Sequence, residues 1–141
     1  MGAPLRGAIA AGELVLHQRA SFYLGQPLVE AARLEQAQEW IGVSLGVSVR
    51  SEDLRLPFSP LQVMIWDTPV KPGREELLSG VVLDWPRRWR ELHPEKTAEE
   101  TVLTLRKEGF ERYYDNAVTF IQHSDANADW FLAAMPPVKD D

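Results

Sequence analysis

The 141 residues include no cysteine, which removes disulfides, thiolate nucleophiles and thiolate metal sites together. The imidazoles are His17, His93 and His123. None stands at an H-x-x-x-H spacing from another, so a zinc site would have to be assembled by folding alone. Ser21, Ser44 and Ser48 sit outside any G-x-S-x-G elbow, and no G-x-x-x-x-G-K loop is present to cradle a phosphate. Hydrolase and NTPase chemistry therefore find no motif. The richer set is aromatic: Trp40, Trp66, Trp85, Trp89 and Trp130 with Tyr113, Tyr114 and Phe120. Large rings dominate both cores and interfaces. A shared core is the simpler reading, with part of the set available to cover a partner. Asp84-Trp85-Pro86-Arg87-Arg88 and Tyr113-Tyr114-Asp115-Asn116 read as packing motifs that tie the last helix to a hairpin.

Composition bounds the class. Hydrophobic residues make up 45% and charged residues 26% of the chain, the range of globular domains. The net charge of −6 gives no overall field for nucleic acid, and Arg87-Arg88-Trp89-Arg90 is expected to be a solvated turn. The apolar run Ala8 to Ala11 is too short to span a bilayer and lacks the pattern of a secretory signal. These features point to a cytoplasmic chain with no membrane and no nucleic-acid partner. One domain over residues 1–134 is expected, followed by a frayed tail over 135–141, where Met135-Pro136-Pro137 breaks helical periodicity.

The elements follow from pattern. Leu5 to Gln18, with Gly7 and Gly12, predicts a hairpin or a long bent strand. Gly25-Gln26-Pro27 punctuates the chain, and proline suits helix entry, so a helix is expected from Pro27 to Trp40. Ile41 to Val49 has apolar residues at alternate positions and predicts a strand, with room for a short helix after it. Leu61 to Thr68 predicts a strand with Leu61, Val63 and Ile65 on one side. Pro69-Val70-Lys71-Pro72-Gly73 predicts a turn, and Gly80 to Trp85 a returning strand stopped by Pro86. Thr97 followed by Glu100 is a capping-box signature for a helix. That helix carries Val102, Leu105, Phe110, Tyr113 and Tyr114 and extends to Ile121, with Gly109 as a kink or a break.

Two stretches together carry a family resemblance. Arg6-Gly7-Ala8-Ile9-Ala10-Ala11-Gly12-Glu13, followed by Gly25-Gln26-Pro27-Leu28-Val29-Glu30-Ala31-Ala32-Arg33-Leu34, resembles the second half of a class III adenylate/guanylate cyclase homology domain. There a strand of the type R-x-G-I-x-x-G-x precedes G-x-x-V-N-x-A-x-R-L at the start of a helix. Asp67-Thr68-Pro69-Val70-Lys71-Pro72-Gly73 and its return strand resemble the family's closing hairpin. The likeness runs in patches from Arg6 to about Leu83. It implies an α/β fold of ferredoxin-like, cyclase type: a mixed, mostly antiparallel sheet with helices packed on one face.

The resemblance also implies roles, position by position. The helix arginine that stabilises charge on the reacting phosphate falls on Arg33, and the phosphate-contacting lysine of the closing hairpin on Lys71, where Pro72 replaces the usual glycine. The asparagine that orients the ribose falls on Val29, which has no hydrogen-bonding side chain. The base-selecting aspartate falls on Phe22, able to stack on a base but not to read its edge. The two carboxylates that hold magnesium belong to the family's first half, which the matched segments do not include. The expectation is a non-catalytic relative that works by binding, as a homo-oligomer or with a complementary chain, and needs no cofactor. The alternative is a nucleotide sensor, or a cyclase subunit whose partner supplies the carboxylates and which then needs magnesium or manganese. Arg33 and Lys71 are the candidate phosphate contacts and Phe22 the candidate stacking plate.

Overall fold

A computed structural model describes residues 6–17, 19, 22–54 and 62–129. The strands are β1 (Gly7–Ile9), β2 (Val15–His17), β3 (Phe22–Leu24), β4 (Val43–Gly46), β5 (Val63–Ile65) and β6 (Leu78–Leu83). The helices are α1 (Gln26–Ala37), α2 (Ser51–Leu54), α3 (Trp85–Leu92), α4 (Ala98–Thr104) and α5 (Glu111–Ala126). Among the described residues, β1-β4-β6-β5 form one sheet and β2-β3 a separate ribbon. Only β1 and β4 run parallel; β6 is antiparallel to both its neighbours and β2 to β3. This is the mixed, mostly antiparallel sheet expected.

Strand register explains the core. Ala8, Ser44, Val82 and Met64 lie across from one another on one face. On that face α1 contributes Leu34 and Ala37, and α5 contributes Phe120, which meets Trp40 and Trp66. The three rings pack with centroids 4.7–4.9 Å apart and tilted or edge-on, the geometry their quadrupoles favour. The opposite face has a smaller cluster, Leu45, Val63 and Val81, closed by Leu54 of α2. A second layer forms on α5, where Ala98 and Val102 of α4 pack against Tyr114, Ala117 and Ile121. The expected shared aromatic core is therefore present.

Several boundaries differ from expectation for physical reasons. Helix α1 stops at Ala37, because Gln38 turns extended and forms an antiparallel bridge with Val70; Trp40 lies beyond the helix and is fully buried. The first segment is not one hairpin: β1 joins the main sheet while β2 pairs with β3. The strand expected over Ile41–Val49 is confined to β4, and the short helix follows as α2. Val63 is buried as expected, but Ile65 on the same side is 41% exposed, while Met64 and Trp66 fill the core. Leu61, the loop from Pro57 to Pro60, Trp130 and the tail over 135–141 fall outside the described residues.

The largest correction concerns Pro86. It does not merely stop a strand; it lies in the first turn of α3, where its missing N–H costs nothing. The Asp84 carboxylate accepts the Arg87 N–H and caps the helix. Arg87, Arg88, Trp89 and Arg90 are thus helical residues, not a solvated turn, and β6 runs two residues earlier, from Leu78 to Leu83. The Thr97 hydroxyl accepts the Glu100 N–H and starts α4 as expected. The helix expected to run on to Ile121 is broken over residues 105–110: α4 is capped at Leu105, and Gly109, at φ +85, lies in the break in a conformation that suits glycine.

Candidate functional site

The sharpest site is built where the end of α1 meets the β5–β6 connection. Two backbone hydrogen bonds, Glu39 N–H to Pro69 C=O (2.8 Å) and Lys71 N–H to Ala37 C=O (2.9 Å), make up the Gln38–Val70 bridge and dock the connection on the helix end. The chain then reverses through Lys71-Pro72-Gly73-Arg74, with Arg74 N–H donating to Lys71 C=O at 3.2 Å. Proline second and glycine third at φ +78 is the signature of a type II turn, whose third residue needs positive φ. Pro72 therefore stiffens this turn. A 3₁₀ turn over Glu75–Leu77 follows, and its buried Leu77 packs on Leu34 and Ala37 of α1. The loop is held at both ends to one helix.

The consequence is a cavity of about 160 Å³ lined by Arg33, Gln36, Ala37, Lys71 and Arg74. Arg33 comes from α1, and Lys71 and Arg74 from the first and last positions of the turn. All three cations are exposed, and none is ion-paired among the described residues. The structure thus brings together the two candidate phosphate contacts and adds a third cation that sequence reasoning missed. The only signal for Arg74 was its place at the fourth position of a Pro-Gly turn.

Two effects compete to explain the cluster. Helix α1 has no basic residue in its last turn, so the turn cations offset the negative end of its dipole, an effect worth roughly 0.3–1 kcal/mol. That effect needs one nearby cation, whereas three like charges around one cavity repel one another, and a bound anion relieves that repulsion directly where solvent and salt only screen it. Arginine guanidinium groups suit a phosphate geometrically and stay charged at any physiological pH. Gln36 adds an amide that donates and accepts.

The other candidate positions lie elsewhere on α1 or before it. Val29 is 50% exposed and sits four residues before Arg33 on the same helical face; it presents methyls there. Phe22 is in β3, ahead of the first turn of α1. Arg33, seven residues past Gln26, lies about 10 Å further along the axis. The imidazoles are apart: His93 stacks on Trp89 at 4.3 Å, and His123 Nε2 meets Ile65 C=O at 3.1 Å. Among the described residues, no group of three or more metal-ligating side chains occurs.

A second groove of about 460 Å³ runs along the β5–β6 connection past Trp66, Asp67, Thr68 and Glu75. No helix of the described residues is long and apolar enough to cross a membrane. No family model, no curated protein and no solved structure matches the chain.

Proposed function

We propose that this chain is a binding module for a phosphorylated ligand, held by Arg33, Lys71 and Arg74. The observation that carries the reading is that two separate segments deliver three unpaired cations to one cavity. The resemblance to the second half of a class III cyclase homology domain supports it, since that family places a phosphate-contacting arginine and lysine at the positions of Arg33 and Lys71. Binding without turnover is the better form of the proposal. The lining groups are two guanidinium groups, an ammonium, an amide and a methyl, suited to holding charge rather than removing a proton from a ribose hydroxyl. Val29, in place of the ribose-orienting asparagine, points the same way.

Titration calorimetry with inorganic phosphate, ATP and GTP, with and without manganese, tests this. The expected result is saturable binding that does not require manganese and weakens as salt is raised. A charge-assisted hydrogen bond contributes roughly 1.5–3 kcal/mol, and exposure here favours the low end, so Arg33→Ala and Arg74→Ala should each weaken binding about tenfold. No heat with any of the three ligands, or equal binding by the double variant, overturns the proposal. Binding that appears only with a second protein and manganese would favour the cyclase-subunit alternative.

A second reading, association with another protein chain, is favoured by the β2–β3 ribbon. Its side chains Val15, Leu16 and Leu24 are 62%, 54% and 58% exposed.

A further inference from the structure

The ribbon presents an unusual combination of shape and sequence. Two three-residue strands alone are marginal in water, and all three residues of β2 are exposed. The segment that leads into β2 is nevertheless held firmly. A Cβ at Gly25 would approach Glu13 C=O to 2.6 Å, and one at Gly12 would meet the Pro27 ring at 2.8 Å, so the backbone on either side of Glu13 lies against the entry to α1. Leu28 and Val29, 42% and 50% exposed on that first turn, continue the apolar surface.

Strand β2 pairs with β3 on one edge, and among the described residues its other edge has no strand partner. Natural edges are protected by shortness, lysine, proline or a bulge. Strand β2 is short at three residues, but the longer segment Glu13-Leu14-Val15-Leu16-His17 has none of the other three, and its order is the same from either end in character: charged or ionisable, apolar, apolar, apolar, ionisable. When two copies run antiparallel about Val15, each Leu14 faces Leu16 of the second copy and each Glu13 faces His17 of the second copy. A shift of the centre to Leu14 or Leu16 sets Glu13 or His17 against an apolar residue and loses this match. The chain carries a net charge of −6, so two copies repel on average. Across this axis each Glu13 carboxylate meets an imidazole, whose ring N–H can donate a hydrogen bond to it, rather than a second carboxylate.

We propose that the occupant of this edge is a second copy of the chain, joined antiparallel through β2 on a two-fold axis at Val15. This rests on the association reading and names its partner and register. A two-fold contact is self-complementary by construction. The product is a continuous four-stranded ribbon in the order β3-β2-β2-β3, which doubles the strands available to stabilise each marginal pair and gives the backbone groups on that edge of β2, which lacks a strand partner among the described residues, a hydrogen-bonding partner.

Sedimentation equilibrium of the full chain, without phosphate or nucleotide, tests the inference. The expected result is a reversible dimer. Val15→Lys sets two like charges opposite each other at the axis and should give a monomer. Because Val15 is 62% exposed, that variant should keep its far-ultraviolet circular dichroism. Glu13→Lys alone should weaken the dimer several-fold, and combining it with His17→Glu, which sets an ion pair across the same two positions, should restore it. A wild-type chain that stays monomeric overturns the inference. A dimer untouched by Val15→Lys, or a double variant no stronger than Glu13→Lys, overturns the interface while leaving association itself standing.

Discussion

Replacing Asp84 by alanine should destabilise the fold by about 2–4 kcal/mol, and the figure can be built from its contacts. The carboxylate is 2% exposed and does two tasks. It caps α3 by accepting the Arg87 N–H, and it accepts the hydroxyl of Ser124, which is fully buried on α5. Loss of a cap costs typically about 1 kcal/mol, and a buried hydroxyl left without its acceptor costs roughly 1–3 kcal/mol. Arg90 reaches the same Ser124 oxygen at 3.1 Å and Asp125 at 2.6 Å, so the contact also joins the two helices through a cation. Asp84→Asn keeps an acceptor for both partners and should lose less than the alanine variant. Urea unfolding followed by fluorescence reads the difference, and a double-mutant cycle with Ser124→Ala isolates the shared bond. If Asp84→Ala falls within about 0.5 kcal/mol of wild type, or the cycle shows no coupling, the linkage argued here is wrong.

Phe120→Ala should cost about 3–5 kcal/mol, the range for removing a buried ring, because Phe120 is fully buried against Trp40 and Trp66; a chemical denaturation midpoint close to wild type would show that the pocket collapses around the loss. Hydrogen bonds from the Arg88 guanidinium, first, and from Gln62 hold the Glu91 carboxyl below its ordinary range. A depressed carboxyl gives stabilisation that is present above the unfolded value and fades as pH falls through the folded one. Carboxyl-carbon NMR should therefore show the Glu91 midpoint moving up in Arg88→Ala, and an unchanged midpoint would exclude Arg88 as the cause. In the same spectra Glu111, lowered by its own backbone N–H and that of Gly109, should not respond.

Local signals in the sequence translated well where the controlling interaction is also local. Thr97 and Glu100 mark a cap separated by one turn, and Gly109 marks a break by its own backbone freedom. The Pro-Gly pair after Lys71 marks a turn for the same reason. Tertiary pairing was harder to read. Nothing in the periodicity of Leu5 to Gln18 says that β1 will join β4 while β2 turns to β3, because alternation reports a face and not a neighbour. Pro86 was ambiguous for a similar reason: it ends a strand and begins a helix, and the deciding partner, Asp84 as cap, acts two residues away. At the candidate site, Arg33 and Lys71 were legible only through the resemblance. Arg74 joins them because Leu77 anchors the loop to Leu34 and Ala37, a contact that no spacing rule encodes.

The tilted contact of Trp40 with Trp66, 4.7 Å between centroids at 57°, has an optical consequence. Two indoles that close and that skewed share their electronic transitions, and the chirality of the pair imprints a strong signal on the circular dichroism spectrum. Rigid packing is needed to keep that signal, since it averages away when side chains lose a unique arrangement even while helices persist. The chain thus contains its own spectroscopic gauge, placed at the junction of sheet and α5, which separates a loosened interior from an unfolded backbone without any added label.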